Sequence, residues 1–291
     1  MAGELVTADW QFEYLGIQFG DGTDTDVTSI EGLNDLPELV TSDRARLRRH
    51  GMYQGDDFAS SRTVTLAFES NISDGDRSGD EIMRSVMELT RPGLDESPLH
   101  FQVPGVAEGG KRFVNVRARR RSIPINKSYY WGYAQGTVEF VATDPRIYDA
   151  TPSLALTALP DGGGGLLFPA EPPFTFVTSS DTGDVTATNE GTFQVNPVIR
   201  IDGPVTNPTV ENLADNGKTI KLNATIAAGA YYLIDTESRS VLLNGTASRY
   251  NELDPTSEWW HLEPGANTIR FRSDTNTEDA VLTVAFNSAW L

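Results

Sequence analysis

The chain has 291 residues, of which 38% are hydrophobic and 22% charged, and a formal net charge of −18. Such usage supports packed cores, about two of them at roughly 150 residues per domain, and argues against wholesale disorder. The acidity disfavours nucleic acid as the main partner, because phosphate neutralisation needs a basic face, and the lack of cysteine excludes disulfide scaffolds, thiolate zinc sites and cysteine nucleophiles.

Met1 to Trp10 carries neither a basic nor an apolar stretch, so no secretory signal is expected. No run approaches the roughly 18 apolar residues of a membrane span, so no membrane insertion is expected. Residues 10–19 (WQFEYLGIQF) alternate with the period of one half-buried strand. An acidic turn, GDGTDTD, follows at 20–26, and 27–40 show no clear period. Arg44 to Arg49 form a short basic run, after which Gly51 and Gly55 frame a loop. Residues 62–69 predict a strand with Val64, Leu66 and Phe68 on one face. Residues 78–91 predict the helix: Ser78 and Glu81 have capping-box spacing, and Ile82, Met83, Val86, Met87 and Leu89 make an apolar stripe. Pro92-Gly93 stops it. Strands are predicted again at 98–103, 112–121 and 135–142.

The stretch 151–191, with Gly162 to Gly165 and Pro169 to Pro173, reads as loop at the entry to a second domain. Beyond it, short apolar segments at 193–201, 218–223, 230–235, 239–244, 258–262, 267–272 and 280–286 predict a β-sandwich. The division expected is 1–150, a β domain with the helix 78–91, and 151–291, a β-sandwich. No fixed repeat is present.

Catalytic patterns are scarce. His50, His100 and His261 form no H-x-x-x-H or H-E-x-x-H spacing, and His100 in its strand-like run reads as structural. No G-x-S-x-G elbow, Walker A loop or dinucleotide fingerprint occurs. Asp21, Asp24 and Asp26 offer oxygen ligands of the kind calcium takes, but their spacing departs from the D-x-[DN]-x-[DN]-G loop, and a solvated turn accounts for them. Asp74, Asp76 and Asp80 are discounted likewise, Asp80 by the helix N-terminus. No enzyme activity, cofactor or metal is expected.

Two basic runs stand out. Arg117, Arg119 and Arg121 would share one strand face, with Val116 and Ala118 opposite. They are the candidate subunit interface, since arginine pairs carboxylates bidentately and this chain is itself acidic; a solvated strand face is the plain alternative. Arg44, Arg46, Arg48 and Arg49 make the other run. Tyr129, Tyr130, Trp131 and Tyr133 suit core or subunit contact, with sugar stacking as a rival. Trp259 and Trp260, if on a strand, face opposite sides.

GPVTNPTVENLADNGKTIKLNATIAAGAYYLIDTESRSVLLNGTASRYNELDPTSEWWHLEPGANTIRFRS at 203–273 resembles the C-terminal domain of phage distal tail proteins, minor tail proteins of long-tailed, non-contractile phages of the kind found in actinobacteria. AVLTVAFNSAWL at 280–291 is similar to the close of such chains, and ATDPRIYDAT at 142–151 resembles the junction ending their N-terminal domain. Within this pattern 235–244 reads as a hairpin, and Pro264 to Asn267 as a turn delivering a strand from Thr268.

The resemblance implies a mostly β fold: a tail-tube-like N-terminal domain with one helix, and a galectin-like C-terminal sandwich. It implies a hexameric ring at the virion tail tip, assembled in the host cytoplasm, with the tail tube protein, the hub and receptor-binding proteins as partners, and no catalytic residues. The alternative is a carbohydrate-binding module contacting host glycan through the sandwich. A cell-wall hydrolase rests on little beyond abundant carboxylates.

Overall fold

The computed structural model describes residues 3–71, 79–93, 95–106, 110–160, 182–274 and 279–291. The chain is mostly β and divides into two compact units, Met1–Ala150 with Leu291, and Thr151–Trp290.

In the first unit the strand expected at 10–19 is a hairpin, Gln11–Tyr14 against Ile17–Gly20. The reversal sits at Leu15-Gly16, both at positive φ (49° and 81°), the geometry of a tight primed hairpin turn. Leucine is a poor signal for such a turn, so periodicity alone ran straight through it. This hairpin begins a sheet that continues through Ser97–Gln102, Arg112–Ser122, Tyr133–Ala142 and Arg62–Asn71 to Thr25–Glu31, each pair antiparallel. The strand Arg112–Ser122 changes neighbours along its length: residues 112–116 pair with Ser97–Gln102 and 117–122 with Tyr133–Ala142. One curved sheet thereby folds over its own core of Phe12, Tyr14, Leu66, Phe68, Leu99 and Phe101.

Helix α1, Gly79–Leu89, buries Met83 and Val86, while Met87 is exposed. Its proposed cap Ser78, with Asp74 and Asp76, lies outside the described residues. The single helix expected has a companion: α2, Lys127–Tyr130, whose first turn is capped by Asn126 Oδ1 accepting from the Tyr129 N–H at 3.0 Å. The run without clear period divides: its start belongs to the main-sheet strand Thr25–Glu31, and its end, with the basic stretch after it, forms a two-stranded arm. Leu39–Thr41 pairs with Asp57–Ala59, and Arg44–Ala45 with Met52–Tyr53.

The second unit has two main antiparallel sheets, besides the short pair Val205–Thr206 with Thr225–Ile226. One runs Ser153–Ala158, Val281–Phe286, Val198–Asp202, Tyr231–Asp235, Ser240–Leu243, Ala247–Ser248. The other runs Asp184–Asn189, Gly265–Arg272, Thr209–Asn212, Lys218–Lys221. Alternate residues are buried, among them Ile199, Ile201, Leu282 and Val284 from the first sheet and Val210, Ile220, Ile269 and Phe271 from the second. This is the two-layer core of a β-sandwich.

Three expectations for this unit change. The stretch 151–191 contributes the strands Ser153–Ala158 and Asp184–Asn189, although the glycine and proline runs at 162–165 and 169–173 lie outside the described residues. Residues 258–262 make one bridge, Val195 with Leu262, instead of a strand. The last hairpin strand starts at Gly265, not Thr268, because the buried Asn267 side chain satisfies Glu263 N–H and C=O at 2.9 and 2.8 Å and holds the entry open.

Tyr232 shows how the sandwich responds to pH. Its hydroxyl donates to Glu252, and burial followed by that carboxylate pushes its pKa up to about 12 from 10.0. A raised phenol pKa gives stability that is complete below pH 10 and is lost as pH climbs through 12. Tyr232→Phe lacks both the bond and its titration. The stability gap to wild type, read from denaturation midpoints, is therefore expected to be constant up to pH 10 and to narrow above it.

Candidate assembly surfaces

The three arginines of the candidate interface do not share a face. The ladder between Arg112–Ser122 and Tyr133–Ala142 carries a bulge: Ala118 pairs Phe140, Arg120 pairs Glu139, and Arg119 is the extra residue. One added residue inverts the alternation, so Arg121 lies opposite Val138, on the side that simple alternation gives to Val116 and Ala118. There its guanidinium donates to Met87 O at 3.0 Å and Thr90 Oγ1 at 2.5 Å. These are carbonyl-end groups of α1, and a cation there satisfies them and complements the helix dipole. Arg117 is half-buried, with its Nε buried and without a hydrogen-bond partner among the described residues. Arg119 and Arg120 are exposed.

Arg121 is thus spent within its own chain. Arg121→Ala is expected to lower the urea midpoint of the first unit by the equivalent of about 1 kcal/mol, the usual net worth of such hydrogen bonds.

The connection from Ser122 to Tyr133 presents the aromatic residues. Tyr130 is 84% exposed and Trp131 66%, packed edge to face at 5.8 Å, with Ile125 and Tyr133 also exposed. Core packing therefore does not explain this cluster. A contiguous exposed apolar ridge of this kind marks an interaction surface.

The other candidates resolve locally. Among the described residues no three of His, Asp or Glu gather into a metal-holding group, so Asp21, Asp24 and Asp26 are not brought together as a calcium site. His100 is buried against Phe113, its pKa lowered by burial, with Gly3 so close that a Cβ there would sit 2.9 Å from Nδ1. His261 Nε2 lies 2.9 Å from Glu263 and its Nδ1 3.7 Å from Asp215. His50 is exposed on the arm. Trp260 is 1% exposed and Trp259 half-buried, so Trp260 offers no face for sugar stacking.

Residues 190–290 match the family model described as the siphovirus-type tail component, C-terminal domain. The likeness to distal tail proteins read from residues 203–273 is borne out. Among solved structures it is similar to the Dit protein of SPP1, described as a paradigm of the hub adsorption apparatus in phages infecting Gram-positive hosts. That likeness has a TM-score of 0.65 at 14% identity and covers 97% of this chain and 99% of that one. It is also similar to a chain of the phage P2 baseplate in its activated, calcium-bound conformation, with a TM-score of 0.52 at 12% identity, covering 94% of this chain and 97% of that one. The mostly β architecture is therefore shared along nearly the whole chain. No curated protein matches.

Proposed function

We propose that this tail component forms a closed ring, of six copies by the resemblance, that joins the tail tube to the hub and receptor-binding parts at the virion tip. The observation that carries the reading is the full-length likeness to the SPP1 hub protein together with the family match over residues 190–290. A structural role of this kind uses surfaces, not a reaction centre. A ring needs one heterologous interface whose rotation closes, and the first unit has unpartnered surface to supply it in the ridge Ile125–Tyr133 and the exposed Arg119 and Arg120.

Light scattering coupled to size exclusion, with negative-stain images of the peak, tests this. The expected result is a ring with a mass about six times the 31.8 kDa chain. A monomer at all concentrations would count against self-assembly.

Of the three arginines first proposed for the interface, Arg119 is the one with both exposure and no structural duty in its own chain. Arg119→Glu is expected to weaken the ring roughly tenfold in dissociation constant at physiological salt, the scale of one charge contact at an interface. Its folding should be unaltered by circular dichroism. The carbohydrate-binding alternative loses Trp260 as an anchor and gains no other observation in the sandwich.

A further inference from the structure

The arm at residues 39–59 is continuous. Ser60 N–H bonds Glu38 O at its base, Ser42 and Asp56 exchange backbone and side-chain bonds midway, and Arg46 N–H bonds Gly51 O at its end. At about 3.3 Å per residue it reaches roughly 25 Å. Every residue from Glu38 to Gln54 is exposed, as is Phe58, which pairs across the ladder with Val40. A lone two-stranded hairpin is marginal in water, and one bearing exposed Val40, Leu47, Met52, Tyr53 and Phe58 is an unfavourable surface unless something covers it.

Charge points to what covers it. Residues 44–53 carry Arg44, Arg46, Arg48 and Arg49 and no carboxylate, so the rest of the chain is net −22 against −18 for the whole. The tip of the arm, 44–53, is thus basic and apolar on an acidic protein, although Asp43, Asp56 and Asp57 leave the arm as a whole net +1, and any copy of this chain offers the tip an acidic surface.

A matching surface lies in the same unit. The first and last strands of the main sheet, Ile17–Gly20 and Thr25–Glu31, are not bonded to each other, and each has one unpaired edge. Beside them is a cleft of about 400 Å³ lined by Trp10, Phe12, Val27 and Ile30, with Asp21 and Asp26 exposed among the lining residues. Trp10 is itself more than half exposed. An indole face flanked by carboxylates is a favourable seat for guanidinium groups on an apolar stem. No residue of the chain's own arm lines this cleft.

We propose that the arm of one copy lies in this cleft of a second copy, with the arginine tip against Asp21 and Asp26 and its apolar residues on Trp10. The contact rests on the ring reading above and gives it the head-to-tail form that a ring requires, since arm and cleft are different surfaces of one unit. The acidic turn at 20–26, read from sequence as solvated, thereby takes cationic side chains of a neighbour.

The chain has no cysteine, so introduced thiols are unambiguous. Leu47→Cys at the tip and Thr28→Cys beside the cleft are made in separate chains, mixed and mildly oxidised. A mixed disulfide dimer is expected, well above the yield from either variant alone. It should fall about tenfold when Arg44, Arg46, Arg48 and Arg49 of the Leu47→Cys chain are changed to Glu, and return when Asp21 and Asp26 of the other chain are changed to Arg. No mixed disulfide, or one indifferent to the charge reversal, overturns the contact. A wild-type ring without the mixed disulfide removes the arm contact and leaves the ring. The mixed disulfide in a protein that never exceeds two copies keeps the contact and removes the closed ring.

Discussion

Arg62→Met is expected to destabilise the first unit by about 3–5 kcal/mol, read as a loss of denaturant midpoint with the second unit's transition unmoved. The side chain is 2% exposed, yet among the described residues it has no carboxylate partner; its Nε and one terminal nitrogen are held by carbonyls, while the other terminal nitrogen is buried without a hydrogen-bond partner among those residues. Nε donates to Pro145 O at 2.8 Å, and one terminal nitrogen donates to Gly32, Leu33 and Asp35 oxygens at 2.6, 3.1 and 2.8 Å. Burial lowers its pKa, and the nearby Asp35 charge opposes that shift. Removing the cation leaves four carbonyls short of a donor, each at a cost of about 1 kcal/mol or more. The turn at 32–35, which leads from the strand Thr25–Glu31 into the arm, loses its only such anchor among the described residues. Arg62→Lys is expected to recover only part of the loss, because a single ammonium cannot serve Pro145 and the turn at once. If Arg62→Met unfolds at the wild-type midpoint, the carbonyl cluster contributes nothing and the account is wrong.

The second large effect concerns the sandwich. Trp260→Ala is expected to cost about 3–5 kcal/mol, by lost burial and the cavity left behind. Trp260 is among the largest fully buried side chains of the protein. Among the described residues its indole N–H has no hydrogen-bond partner, which predicts an asymmetry. Trp260→Phe removes an unsatisfied buried donor along with some volume, so it is expected to retain most of the stability that Trp260→Ala loses. Trp259→Ala, at a half-buried position, is expected to cost less than half as much. Thermal unfolding of the three variants, compared at one pH, ranks them. Equal losses for Trp259→Ala and Trp260→Ala would contradict the burial that separates the two.

The residue pattern alone was enough for the mostly β fold class and for the likeness to phage distal tail proteins. Val64, Leu66 and Phe68 alternate because one face of that strand is buried, and the alternation stays visible in the chain. The stripe through Met83 and Val86 did the same for α1. The likeness at 203–273 to phage tail proteins is carried by turn residues and strand spacing, which persist in a family even without a reaction centre. α2 was not expected from the sequence, although the asparagine at 126 before Lys-Ser-Tyr-Tyr is a signal that could have found it.

What lay beyond the sequence depended on partners distant in the chain. The bulge at Arg119 exists only relative to the facing strand, and it alone decides that Arg121 serves α1 and that Arg119 faces outward. The hairpin at Leu15-Gly16 is imposed by pairing with Ser97–Gln102 on the far side, which overrides the turn preference of leucine. Arg62 is buried because carbonyls from residues 32–35 and from Pro145 converge on it, and no local pattern marks an arginine for the core. The arm followed the same logic in reverse: its strands carry no buried face, so they leave no periodicity to read. Sequence determines a side chain's chemistry and local period. Which side of a strand is inside, and which charges meet, is decided where residues far apart in the chain come into contact.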